Sequence, residues 1–192
     1  MLFHSVKFLY LFGVTFALYW ALRSQRARMA VLLVASIFFY ASWNVWLVGL
    51  VLATALFDYW IAIRIENTEA PARRRALLVV SLCVTLGVLA FFKYTNFLVA
   101  FAWPAFAELG AAPSAPIYHI LLPLGISFYT FETVSYVVDV YRRRLRAERR
   151  LLDYSLFLLF FPHLIAGPIV RPADFLPQLR VLQRFDWSRM EL

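Results

Sequence analysis

Cysteine is almost missing from this chain. Cys83 is the only one among 192 residues, so no disulfide within the chain and no Cys-x-x-Cys metal or redox motif can form. Lying in the middle of an apolar run, it reads as a small buried hydrophobe. Charge is scarce too: 16% of residues are Asp, Glu, Lys or Arg, where soluble domains carry about a quarter. There is no Gly-rich phosphate loop, no nucleophile elbow and no metal-ligand spacing. The N-terminus, Met1 to Leu22, has only Lys7 as a basic lead-in and no small-residue cleavage site after its apolar stretch. It reads as a retained span rather than a signal peptide.

What the chain has is hydrocarbon. Hydrophobic residues make up 63% of it, mean hydropathy is +0.72, and there are nineteen Phe, ten Tyr and six Trp. A soluble fold of this length cannot hide that much apolar surface, whereas a bilayer accepts it and places aromatics at its interface. The formal net charge is +8, but the arginines form short clusters between apolar runs and not a stripe interleaved with aromatics. That pattern marks cytoplasmic loops and gives no sign of a nucleic-acid partner.

A helix needs about 20 apolar residues to cross a hydrocarbon core of roughly 30 Å. On that basis residues 1–166 read as an all-α, polytopic transmembrane bundle with spans near 8–22, 29–42, 45–63, 77–92, 117–138 and 151–166. The long uncharged run from Met29 to Phe57 is divided at Trp43-Asn44, a polar break flanked by Tyr40 and Trp46. Between the fourth and fifth spans, Tyr94 to Pro116 suggests an amphipathic helix in the interface followed by a loop. Residues 167–192, with Arg171, Asp174, Arg180, Arg184, Asp186 and Arg189, read as a cytoplasmic or interfacial tail. Arginine clusters at 23–28, 64–75 and 142–150 are separated by pairs of spans, which puts all three on one side, the cytoplasmic one, with the N-terminus opposite.

Ionisable residues inside spans are costly and usually face the protein interior or a watery cavity. Asp58 lies in the third span, and Lys93 closes the fourth. Glu132 and Asp139, seven apart on the fifth, share a helical face with Ser135 between them. This polar stripe fits a cavity or tunnel wall, and for Glu132 helix-to-helix hydrogen bonding fits equally well. Asp139, beside the arginines, suggests an ion pair between loops. His163 sits between Pro162 and Gly167-Pro168, where backbone broken at membrane depth is tolerated if buried or lining a cavity. A lone histidine can act as a general base, but no partner at meaningful spacing accompanies it, which favours a structural polar contact. His119 opens a span behind Pro116 and reads as interfacial, and His4 is terminal.

Four ordered blocks carry a family resemblance. They are Ser36-Ile-Phe-Phe-Tyr-Ala41 with Trp43; Phe91-Phe-Lys-Tyr-Thr-Asn-Phe97; Leu122-Pro-Leu-Gly-Ile-Ser-Phe-Tyr-Thr-Phe-Glu132 with Ser135-Tyr-Val-Val-Asp-Val-Tyr-Arg142; and Phe160-Phe-Pro-His-Leu-Ile-Ala-Gly-Pro-Ile-Val-Arg171 with Asp174-Phe-Leu-Pro-Gln178. Together they resemble the membrane-bound O-acyltransferase superfamily, nearest its bacterial alginate O-acetyltransferase branch. The resemblance implies a multi-pass protein of the bacterial inner membrane. Such a protein accepts an acyl group from a cytoplasmic thioester such as acetyl-CoA, with no bound cofactor. It passes the group through a core tunnel towards an exported polysaccharide, often through a periplasmic or membrane partner protein.

The family's essential histidine belongs to a Trp-His-Gly motif in the second half of a longer chain, and His4, His119 and His163 do not match it. No catalytic residue is therefore carried over, and this portion is expected to be inactive alone. Asp58, Glu132, Ser135, Asp139 and His163 remain candidate tunnel or core polar residues. The basic cluster Arg142, Arg143 and Arg144 is a candidate for attracting an anionic donor, or a topology determinant only. A non-enzymatic membrane scaffold or export subunit retaining the fold is the competing class, and a transporter, suggested by Asp58 and Glu132, is a third.

Overall fold

The computed structural model describes residues 5–108, 120–164 and 170–183, and every regular element among them is an α-helix. The elements are α1 (Val6–Ala21), α2 (Gln25–Ala41), α3 (Val45–Asn67), α4 (Pro71–Glu108), α5 (Ile126–Tyr141), α6 (Leu151–Leu159), α7 (Phe161–Leu164) and α8 (Pro172–Gln178). The expectations for Gly110, Pro113, Pro116, His119, Gly167-Pro168 and the tail beyond Gln183 fall outside the described residues.

Local chemistry sets the first breaks. Ser5 caps α1 by accepting from the Phe8 amide. Asn44 ends the long apolar run by accepting from the Trp46 and Leu47 amides at 2.9 and 3.3 Å, the N-cap role for which a short polar side chain is suited. Pro71 then opens α4 at a position where a missing amide proton is harmless.

Of the six expected spans, the described helices support two by length and composition. These, α3 and α4, are long and apolar enough to cross a membrane. The expected interfacial helix after residue 92 is instead the uninterrupted continuation of α4, which runs for 38 residues. No proline interrupts residues 72–103, and Pro104 comes only four residues before the end. At 1.5 Å per residue α4 is about 57 Å long, well beyond a hydrocarbon core of about 30 Å. Cys83, expected to be buried, is exposed on this helix.

The expected fifth span begins at Ile126 rather than at 117. Pro123 disfavours helix at the residue before it. Gly125 then takes a left-handed φ of 68°, and the Ile126 amide closes a turn on the Pro123 carbonyl at 3.2 Å. The expected sixth span is broken as well. The nine-residue α6, about 13 Å long, stops at Phe160, whose ψ of 104° is not helical. The four-residue α7 follows with Pro162 in its first turn.

The short α6 is the centre of the bundle. Every residue from Asp153 to Leu159 is buried, and α2, α3, α5 and α8 pack around it. Tyr136 and Tyr154 meet at 4.8 Å between ring centroids, and Tyr59 meets Tyr154 at 5.8 Å. Lipid tails are as apolar as these side chains, so in a bilayer such packing holds helices by dispersion and shape rather than by excluding water. The segment read as a tail is part of this core: Leu176 and Leu179 are buried.

The arginine clusters gather at one end. Arg28 donates to the Gln183 carbonyl at 2.7 Å and Gln25 to that of Leu179 at 2.7 Å. Arg74 reaches the Tyr141 carbonyl at 2.7 Å, and Arg149 pairs with Glu66.

Candidate functional site

Three polar centres interrupt the apolar bundle. The first joins α5 to the broken backbone after α6. Glu132 and His163 are both buried, and His163 Nε2 lies 3.4 Å from Glu132 Oε1 without the geometry of a hydrogen bond. The Val170 amide donates to the same oxygen at 3.4 Å. The break that delivers His163 is itself supported: the Phe161 amide donates to Ser36 Oγ at 3.3 Å, and that hydroxyl donates to the Leu32 carbonyl at 2.7 Å. Phe160 and Phe175 flank the imidazole at 5.5 and 5.7 Å between centroids. Glu132 Oε2 and the Tyr129 hydroxyl are buried with no hydrogen-bond partner among the described residues.

Chemically this is a buried carboxyl beside a buried imidazole, residue types that serve as acid and base. Among the described residues it has no serine or cysteine nucleophile activated by the histidine, and no group of three or more His, Cys, Asp or Glu able to hold a metal. Sequence spacing offered His163 no partner. The fold supplies one from 31 residues earlier.

The second centre ties α3 to α4. Asp58 is buried and accepts from Ser81 Oγ at 2.6 Å and Thr85 Oγ1 at 2.9 Å. The candidate residue Asp58 thus links α3 to α4 through two hydroxyl donors. Ser81 and Thr85 were missed in the sequence, although their i, i+4 spacing on one helical face was the available signal.

The third centre closes the arginine end. Glu148 is buried; its Oε1 accepts from the Arg149 and Arg150 amides at 2.9 and 3.0 Å, and its Oε2 pairs with Arg180 at 2.6 Å. That hydrogen bond, and then the Glu148 charge, hold the Arg180 guanidinium still more firmly protonated. The Glu148 amide in turn donates to the Tyr136 hydroxyl at 2.8 Å. Arg142, Arg143 and Arg144 are exposed just beyond α5, with Arg143 at a φ of 58°.

One expectation needs correction here. Asp139 makes no ion pair among the described residues. Its contribution is a backbone carbonyl that accepts from the Arg144 amide at 2.9 Å, because the chain turns sharply at Arg143 and the guanidiniums leave for solvent. Ser135 likewise turns back on its own helix, donating to the Glu132 carbonyl at 2.8 Å.

Among the described residues the chain is an all-helical bundle whose interior carboxyls face hydroxyls and an imidazole, whose two longest helices suit a bilayer and whose guanidiniums collect at one end, features that fit a membrane protein. Its sequence is 42% identical to the probable alginate O-acetylase AlgI of Pseudomonas putida and 43% identical to that of Pseudomonas aeruginosa. Each alignment covers 93% of this chain, and 37% and 34% of the respective relative. The peptidoglycan O-acetyltransferase of Helicobacter pylori is 32% identical over 78% of this chain and 32% of its own length. The chain belongs to the membrane-bound O-acyltransferases, in the branch of the bacterial alginate O-acetylases. It spans about a third of the length of the curated relatives it matches. No protein-family model matches the chain, and no solved structure matches it.

Proposed function

We propose that this chain is part of a multi-pass O-acetyltransferase of the bacterial inner membrane that moves an acetyl group from a cytoplasmic thioester to an exported polysaccharide such as alginate. The observation that carries the reading is the sequence shared with O-acetyltransferases over 93% of the chain. The geometry supports it in two places. The exposed Arg142–Arg144 loop offers an anionic donor such as acetyl-CoA a positive approach. The buried Glu132–His163 pair gives the bundle a polar interior beside which an acyl group can pass without meeting lipid. A periplasmic or membrane partner protein would receive the group before it reaches the glycan.

The test is made in the bacterium's own membranes. Deleting the gene should remove O-acetyl groups from the exported polysaccharide, and supplying it in trans should restore them. Unchanged acetyl content would discard the reading in favour of a scaffold. Converting Arg142, Arg143 and Arg144 together to Gln should raise KM for the donor by about tenfold, at about 1 kcal/mol or less per exposed charge, and leave kcat nearly unaltered. Identical donor kinetics would remove the loop from donor capture.

A further inference from the structure

Two clefts adjoin at the arginine end and share Arg150 and Arg180. The first, about 430 Å³, is lined by Glu66 and Glu148 together with Arg146, Arg149, Arg150 and Arg180. The second, about 410 Å³, is divided in character. Its lining combines three guanidiniums, Arg26, Arg150 and Arg180, with the apolar side chains of Met29, Leu151 and Leu152. The Arg26 side chain makes no hydrogen bond or ion pair with the described residues and is exposed. Arg180 spends one donor on Glu148. Arg150 approaches Asp153 only to 3.8 Å, too far for a hydrogen bond. Each guanidinium has five N–H donors, so most of them remain unspent.

The same cleft also holds acceptors that lack donors. Asp153 is buried, with 3% relative exposure, and its Oδ2 has no hydrogen-bond partner among the described residues. Gln25 donates through Nε2 to the Leu179 carbonyl, while its Oε1 has no partner among the described residues. A phosphate alone would satisfy the arginines and leave these two oxygens bare.

We infer that the divided cleft is a binding site for one phospholipid with a zwitterionic, primary-ammonium headgroup. Its phosphodiester lies against Arg26, Arg150 and Arg180, and its ammonium donates towards Asp153 and Gln25. Its acyl chains leave past Leu151 and Leu152, at the N-terminal end of α6 where the helix is still accessible. Basic clefts at the cytoplasmic end of membrane helices bind lipid headgroups by this phosphate chemistry; the buried carboxyl is what selects the ammonium. A nucleotide-bearing donor would bring phosphates but no cation for Asp153. The inference rests on the bilayer placement and not on the transferase reading, so a failure of acetyl transfer leaves it intact.

Native mass spectrometry of the detergent-purified chain, equilibrated with equimolar phosphatidylethanolamine, phosphatidylglycerol and coenzyme A, tests it. The wild type should retain one phosphatidylethanolamine in preference to phosphatidylglycerol, with coenzyme A displacing neither. Arg26→Gln, a surface change that leaves packing alone, should weaken retention by about fivefold, and Arg150→Gln with Arg180→Gln should weaken it further. Asp153→Asn should turn the preference towards phosphatidylglycerol, and Arg75→Gln, outside the cleft, should change nothing. The proposal is overturned if the wild type holds the two lipids equally, if coenzyme A displaces the lipid, or if Arg26→Gln retains phosphatidylethanolamine like the wild type.

Discussion

At the scale of single residues, stability depends on carboxyl groups that have found donors. Asp58 is held by Ser81 and Thr85 across the α3–α4 contact. Removing both hydroxyls, as S81A/T85A, should cost about 1–3 kcal/mol for each partner lost, read as a lower thermal midpoint in detergent. D58N, which keeps both hydroxyls and an acceptor oxygen, should lose less. A double variant as stable as the wild type would show that the hydroxyls do not grip Asp58. Glu148 answers three amide or guanidinium donors at once. E148A should therefore destabilise by about 1–3 kcal/mol through the part-buried amides and the Arg180 guanidinium left without an acceptor, while E66A, facing a half-exposed Arg149, should cost less than about 1 kcal/mol. Asp58 was legible because a carboxylate in an apolar run demands an explanation. Glu148 was not, because an acidic residue amid arginines looks like any solvated loop position, and only the fold shows it buried.

Helices are the next scale, and their ends decide the architecture. The break at Asn44 was readable, since a capping side chain between aromatics is a local signal. N44A should cost about 1 kcal/mol and N44D close to nothing, measured by chemical unfolding. Equal loss in both would mean that the side-chain oxygen is not the cap. The start of α5 and the break in α6 were harder to read because counting apolar residues ignores backbone. Leu122-Pro-Leu-Gly125 is greasy enough for a span, yet Gly125 occupies a conformation that a Cβ resists. G125A should destabilise by about 1–2 kcal/mol and G125N by less, because Asn tolerates the left-handed region. Indifference to both would mean that the turn relaxes. Likewise Pro162 and Ser36 stop α6 short, and nothing in hydropathy distinguishes a buried half-length helix from a lipid-facing one.

For the whole molecule, the testable statement is sidedness. Contacts bring residues 25–28, 66–74, 141–150 and 179–183 to one end. With Cys83 first changed to Ala, single cysteines at the exposed positions Ser24, Glu69 and Arg144 should react with an impermeant maleimide only after the cells are opened. One replacing Trp43 should react in intact cells. Labelling of Ser24 and Arg144 from different faces would break the arrangement. The sequence periodically returned arginine to the same side, so this much was visible before any coordinates. What no local pattern encodes is the pairing of groups far apart along the chain, of which Glu132 with His163 is the clearest case.

That pair has a consequence in time. A ribosome adding about 5–20 residues each second makes Glu132 roughly two to six seconds before His163, which lies 31 positions later. During that interval the carboxyl has neither the imidazole nor the Val170 amide to answer it. Entry of α5 into lipid is therefore unfavourable until α7 has emerged. The segment should linger in the insertion channel and leave it together with its partner, so the order of biosynthesis here follows from one acid–base contact.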